Sequence, residues 1–384
     1  MDFWRTILKM KQPSERKPDF GRFVKRIKSN EPGPVPVADI FADFETVGSY
    51  LREPVVDYLA IADDPDLKIG WKEIKGGWKY VEQSIRFCAM TGWDYVYSFS
   101  MIPFKGVALN ITENTSKEVD EGKRGWMDDN RGPIMSWDDF ERYPWPRNIP
   151  AINAMSRVAA KRVPPGMKVM VIPGGVFEWT TWLMGLVPFS YALSDNPELV
   201  DAVIEKVTRL ILKVSEDILA EDNVGGLFMG DDLGYSTGTM VSPAVLREKF
   251  LPNMKKVVDL THEAGKVFVL HSCGNMYAIM EDLIEMGVDA KHSYEDKILP
   301  ADDAHEKWGD RIGIIGGVDM GLMAKGSEEE VRLRTRELLD RCASKGRYVM
   351  GTGNSVANYI PLANYLALVD ETGKWNRDNF GTEW

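Results

Sequence analysis

The chain has 384 residues, three cysteines and a formal net charge of −11 at neutral pH, with 44% hydrophobic and 27% charged residues. That balance excludes a disordered, collagen-like or coiled-coil chain, and an acidic surplus with no basic stripe argues against nucleic acid as a partner. No apolar run reaches membrane-spanning length and no export segment is recognisable, while three cysteines make no disulfide framework, so the expected setting is a reducing cytoplasm.

In chain order, residues 1–34 read as an N-terminal helical extension. Glu31-Pro-Gly-Pro34 breaks the chain before the first strand, and the mixed run Arg16–Arg26 reads as a solvated helix face. Val35–Phe41 and Asp94–Phe99 are the first two predicted strands. Residues from about 112 to 150, polar and rich in Trp, Asp, Pro and Gly, fall outside the repeat. With Trp126, Trp137 and Trp145 they are expected to form an ordered, lid-like insertion over the mouth of the fold. From residue 165 onward, short apolar runs bounded by Gly or Asp recur: Lys168–Pro173, Gly225–Gly230, Lys266–His271, Val288–His292, Ile312–Gly317 and Arg347–Gly351. Helical segments lie between them. Pro197–Glu221 carries one apolar stripe, Ser242-Pro243 opens a helix that stops at Gly265, and Ser327 with Glu330 forms a capping box. Eight strand–helix units predict an α/β chain folded as a (β/α)8 TIM-type barrel over residues 35–384. A doubly wound sheet is the alternative, but no Gly-rich phosphate loop or Walker motif follows a strand.

Barrel chemistry sits at the C-terminal strand ends. There the sequence delivers Asp43, Ser98-Phe-Ser100, Glu178, Asp231-Asp232, His271-Ser-Cys273, His292 with Glu295, Asp319, and Asn354-Ser355. Two of only four histidines fall at these ends. His271 and Cys273, one residue apart, point to the same side of an extended chain and offer an imidazole and a thiolate to zinc. Glu178, Asp231, Asp232, His292 or Asn354 completes the shell in this reading, and the spacing alone leaves that choice open. Trp179, Trp182 and Tyr235 are candidates for an aromatic pocket wall. Asp231-Asp232 and Asp319 are also candidates for turn or helix caps. His262 and His305 are expected at the surface, and Cys88 and Cys342 in packing.

The strings HSCGN (271–275), DLIEMGVDA (282–290), GDRIGIIGGVD (309–319), Gly-Thr-Gly-Asn-Ser (351–355) and IPLANYLALVDE (360–371) resemble the uroporphyrinogen decarboxylase superfamily over about residues 35–372. That superfamily shares the (β/α)8 barrel and includes the haem-pathway decarboxylases and the corrinoid-dependent methyltransferases. The decarboxylase pattern is not kept: no R-Q-A-G-R string is present, and Phe99-Ser100-Met101-Ile102 stands where those enzymes carry F-S-D-I. The methyltransferase branch binds zinc through H-x-C and a later Cys. His271 and Cys273 match the first two, while Asn354 stands near the place of the third. The resemblance therefore implies a zinc-dependent, corrinoid-linked methyltransferase of the O-demethylase type. It would take a methyl group from a small donor, with a methoxylated aromatic favoured, to a separate corrinoid protein. In that reading His271, Cys273 and Glu178 hold the metal, Glu178, Asp231 and His292 are catalytic, and Trp179, Trp182, Asp232, Tyr235 and Asn354 contact the substrate. The resemblance leaves open a homodimer, since the decarboxylases are dimers. The alternatives are a uroporphyrinogen-type decarboxylase and a non-catalytic tetrapyrrole- or corrinoid-binding barrel.

Overall fold

The computed structural model describes residues 17–55, 71–107, 109–113 and 123–382. Residues 1–16 of the expected extension and 114–122 of the expected insertion lie outside the described residues. The strands are β1 (Tyr95–Phe99), β2 (Leu109–Glu113), β3 (Lys123–Met127), β4 (Lys168–Ile172), β5 (Val224–Gly230), β6 (Val267–His271), β7 (Ala290–His292), β8 (Gly313–Ile315) and β9 (Tyr348–Val349). β2 and β3 form an antiparallel hairpin, and the other seven form one parallel sheet in sequential order. A doubly wound sheet would reverse strand order part-way. Sequential parallel order with a helix after each strand is that of a (β/α)8 TIM-type barrel.

The first predicted strand is the exception. Between Val35 and Ala42 the chain makes only two isolated parallel bridges to the last strand segment, Val37 with Met350 and Ala42 with Val356. On its other side the link to β1 uses side chains: the Tyr95 and Tyr97 hydroxyls donate to the carbonyls of Asp39 and Ala42. Pro36 has no N–H to give a ladder, which helps to explain why a β-branched run does not become a full strand.

The other strands follow the apolar runs because both faces are covered; β5 and β6 are buried almost throughout. Pro197–Leu219 buries its apolar stripe, including Val203, Val207, Leu210, Ile211 and Val214. The helix opened by Ser242, whose hydroxyl accepts from Val245 N, widens into a π turn over Leu246–Phe250 before running to Glu263. Pro252 cannot donate and its ring crowds the carbonyl four residues back, and a π turn relieves that conflict.

The Phe20–Lys28 helix is not a fully solvated face. Phe20, Phe23 and Ile27 are buried, and Phe23 packs edge-on to Tyr95 with centroids 5.0 Å apart. Phe20 also packs over Gly225 and Ile27 over Gly313, so this helix plugs the N-terminal end of the barrel. Arg26 is buried with its guanidinium on the Glu31 carbonyl, and Arg22 pairs with buried Asp94. The insertion lies against the helix Val176–Met184 and its C-terminus: Ile134 N donates to Leu183 O at 2.9 Å and Val187 N to Asp129 O at 2.8 Å. Within the insertion, Trp145 packs on Tyr143 and Phe140 with centroids 4.7 and 5.4 Å apart.

His305 is not at the surface. It is 3% exposed, with Nε2 set 2.8 Å from Gly346 O. Its helix looks polar in sequence because Asp302 and Asp303 are answered by Arg334 and Arg341 rather than by water. His262 is partly exposed and pairs with Asp289 at 2.9 Å. Cys88 and Cys342 are fully buried. No helix among the described residues is long and apolar enough to cross a membrane.

Candidate functional site

His271 ends β6 and is in register with Gly230 on one side and His292 on the other. Register partners on neighbouring parallel strands put their side chains on the same face. The two imidazoles therefore meet, with ring centroids 5.0 Å apart and Nδ1 facing Nδ1 at 2.8 Å. Gly230 leaves open the place beside His271 on the opposite side.

Beyond β6 the chain turns at Gly274, whose φ of +74° favours glycine. A Cβ there would lie 2.4 Å from the Gly234 carbonyl carbon, so the loops after β5 and β6 touch backbone to backbone. Asn275 N donates to Tyr235 O, and Gly274 N donates to the Glu295 carboxylate at 3.0 Å. This packing brings Asp232 against the β6 loop, where its Oδ1 accepts from Cys273 N at 2.8 Å.

The result is one converging donor group. Cys273 Sγ lies 3.4 Å from His271 Nε2, His271 Nε2 lies 3.8 Å from Asp232 Oδ1, and all three ligand atoms fall within 4.8 Å of one another. A tetrahedral zinc with bonds of about 2.0–2.3 Å sets its donors roughly 3.4–3.6 Å apart. A thiol, an imidazole nitrogen and a carboxylate oxygen are donors zinc takes, and the His271–Cys273 spacing already matches, while Asp232 would have to move in by a few tenths of an ångström or more. The Asp232 side chain keeps 40% exposure, so the group opens to solvent on that side.

Of the residues singled out in sequence, Glu178 and His292 are not members of this group among the described residues. His292 is fully buried behind His271, with Nδ1 on His271 and Nε2 on Asp39. Asp231 is also fully buried and caps the Val176–Met184 helix, accepting from Phe177 N at 3.2 Å and Glu178 N at 2.9 Å. Asp319 likewise caps a helix, through Gly321 N and Leu322 N. Asn354 points its Nδ2 at Cys273 Sγ from 3.1 Å. Trp179 is buried between Phe104 and Trp182, at centroid distances of 4.8 and 5.0 Å, while Tyr235 is exposed on the rim.

The electrostatics separate the groups. Burial lowers the His271 pKa to about 4, so the ring is neutral and able to donate a lone pair. Burial, then the Asp232 charge, pushes the Cys273 thiol well up, against which the Asn354 N–H favours the thiolate. A cation among the three donors would reverse that shift. Burial raises Asp231 to about 7. It raises Glu178 well above the ordinary range, helped by the Asp232 and Asp231 charges, which favours the protonated form of that carboxyl.

Asp39 was not singled out from sequence. It lies in the middle of VPVADIF, and its only signal there is a carboxylate within an apolar run. It is fully buried, and Oδ1 accepts from Thr352 N at 3.0 Å and faces His292 Nε2 at 3.3 Å. Asp43, taken in sequence as the end of the first strand, instead accepts from Asn358 N at 2.9 Å.

A barrel with an H-x-C donor pair at its C-terminal mouth belongs to a definite class. The family model described as uroporphyrinogen decarboxylase (URO-D) matches residues 95–375, well over half the chain, and the chain belongs to that family. Among curated proteins it is similar to the methylcobamide:CoM methyltransferase MtaA of Methanosarcina barkeri, 21% identical over 222 residues, or 58% of this chain and 62% of that protein. It is also similar to the MtaA of Methanosarcina barkeri strain Fusaro / DSM 804, 26% identical over 131 residues, or 34% of this chain and 36% of that protein. The matched stretches thus span less than two thirds of either relative. A solved methyltransferase structure from Methanosarcina mazei shares the fold, with a TM-score of 0.67 at 16% identity over 92% of this chain and 98% of that one.

Proposed function

We propose that this protein is a zinc-dependent methyltransferase that passes a methyl group from a small oxygen-bound donor to the cobalt of a corrinoid carried by a separate protein. The observation that carries this reading is the convergence of His271 Nε2, Cys273 Sγ and Asp232 Oδ1 at the open end of the barrel. The likeness to methylcobamide:CoM methyltransferases supports the methyl-transfer class. Asp232 takes the place given in sequence to Glu178 as third ligand.

Zinc held by these three residues would supply a Lewis acid for the donor's heteroatom. The residues around it divide the remaining work. Glu178, whose burial favours the protonated form, is placed by the Asp231-capped helix to give its proton to the departing oxygen. The O–CH3 electron pair would stay on that oxygen, which takes the Glu178 proton, and a Co(I) corrinoid on the partner protein would supply the pair for the new bond to the methyl carbon. The edge-to-face pair Trp179 and Trp182, on the same helix as Glu178, would supply the aromatic surface for a methoxylated ring, with Tyr235 exposed. The corrinoid protein docks over the open C-terminal face. The free thiol of Cys273 is in keeping with a reducing, cytoplasmic setting.

Elemental mass spectrometry of protein purified without chelators tests the site, with about one zinc per chain expected and loss of it in Cys273→Ser. Incubation with a corrinoid protein and methoxylated aromatics, followed by the corrinoid absorbance, tests the reaction. A folded protein that takes up no metal when zinc is offered overturns the reading.

A further inference from the structure

His271 is the innermost member of the donor group, and what stands behind it is unusual. A neutral imidazole carries one N–H, and the partner of one ring nitrogen decides which nitrogen keeps its lone pair. Here Nδ1 of His271 meets a second imidazole rather than a carbonyl, and that second imidazole ends on a buried carboxyl. A proton between the two Nδ1 atoms belongs to one ring or the other, so the polarity of the chain has to be set at its far end.

Asp39 sets it. Its Oδ1 already accepts the backbone N–H of Thr352 at 3.0 Å, and the Thr352 hydroxyl stands at 3.0 Å as well. Burial pushes the Asp39 carboxyl well up, against which the two Thr352 donors favour a bare Oδ1; with no proton on Oδ1, the His292 Nε2 facing it is the N–H donor. His292 Nδ1 is then the acceptor, His271 Nδ1 the donor, and His271 Nε2 carries the lone pair. That Nε2 is the atom 3.4 Å from Cys273 Sγ and 3.8 Å from Asp232 Oδ1. The opposite polarity would need a proton on Asp39 Oδ1, the oxygen on which both Thr352 donors already converge.

The chain is fixed in space. Asp39, His292 and Thr352 are fully buried. Gly316, at φ +102°, lets the β8 turn pass close by, and a Cβ there would lie 2.5 Å from Thr352 O and 3.2 Å from the His292 ring. The other Asp39 oxygen has no partner among the described residues, so the hydrogen bonding of the carboxyl is committed to Oδ1.

We propose that His292 and Asp39 are positioning residues whose hydrogen-bond chain holds His271 in the tautomer that turns a bare Nε2 toward Cys273 and Asp232. The consequence for metal affinity rests on the zinc reading given above, whereas the tautomer itself does not. Outer partners of this kind tune affinity by roughly 10- to 100-fold.

The test is nitrogen-15 histidine NMR on the metal-free full chain, where four histidines are assigned by single variants. The expected spectrum shows His271 as the Nδ1–H form and His292 as the Nε2–H form. His271 found as the Nε2–H form overturns the proposal whether or not metal binds. In His292→Leu the His271 preference is lost and zinc affinity, read by chelator competition, falls about 10- to 100-fold. His292→Asn, whose amide oxygen can occupy the Nδ1 acceptor position, restores part of both. Unchanged zinc affinity in a folded His292→Leu protein overturns the proposal, and the wild-type spectrum decides alone if that variant does not fold. The expected tautomers in a chain that binds no zinc support the hydrogen-bond chain and overturn the metal reading instead.

Discussion

Asn354 Nδ2 stands 3.1 Å from Cys273 Sγ, joining the loop after the last strand to the loop after β6 across 81 residues of sequence. The resemblance places a second cysteine near this position, and an amide donor there does the opposite job. It favours the thiolate form of Cys273 without adding a ligand. Asn354→Cys should therefore convert a mixed S/N/O donor set into one with two thiolates. We expect zinc to bind at least about tenfold more tightly, equivalent to about 1.4 kcal/mol, in a competition titration. Cobalt substitution should show stronger sulfur-to-cobalt absorption, and unchanged spectrum and affinity would mean that residue 354 does not face the metal.

Glu178 and the donor group are separable. Glu178→Gln should leave zinc content near wild type, because the carboxyl is not among the converging donors. Methyl transfer should fall by roughly 10²- to 10⁴-fold, the usual worth of a general acid. Loss of metal in this variant would return Glu178 to the ligand set.

Asp231 links the site to the pH dependence of stability. Its carboxyl is raised from 3.8 to about 7 by burial, so between those values the folded chain holds a proton that the unfolded chain has released. The resulting stabilisation is fully present below about 3.8 and is lost as pH rises through about 7. Its size is of order 4 kcal/mol at most, at about 1.4 kcal/mol per pH unit. Denaturant titrations of metal-free protein between pH 5 and 8 should show stability falling with pH. Asp231→Asn should flatten that slope and keep a remainder from Glu178, which shifts in the same direction. An equal slope in both proteins would assign the effect elsewhere.

Gly274→Ala tests the contact that brings Asp232 to Cys273. The added methyl would sit 2.4 Å from the Gly234 backbone, in a conformation that L side chains rarely adopt. We expect a loss of about 2–4 kcal/mol in unfolding free energy and weaker zinc binding, because the two loops must part. Wild-type affinity in this variant would show that the ligands hold their places without that contact.

The β4–β9 core was legible because each buried parallel strand writes itself as a short apolar run between glycines and helix caps. His271 and Cys273 were legible because rare residues stood at a strand end. Asp232 was named, but the choice among the neighbouring carboxylates depends on the Gly234–Gly274 contact, which no local pattern records. His292 was visible, but its place behind His271 follows from strand register. Asp39 was missed, and His305 was placed outside, for a common reason. Polarity in sequence suggests exposure, whereas both are satisfied internally, Asp39 by Thr352 and His305 by Gly346.

The seam at which the first segment meets the last has a consequence for how the chain matures. Asp39 and Thr352 are 313 residues apart, so their contact spans most of the polypeptide. Contacts of such separation carry the largest loop-closure cost and govern the slow part of folding. On a ribosome, every strand through β8 can assemble before Thr352 has emerged, leaving Asp39 without its backbone donor. Circularity and a correctly protonated His271 are thus achieved together. A chain cut before Thr352 would possess all three donor residues yet lack the anchor that orders them, and would hold metal more weakly than the whole barrel.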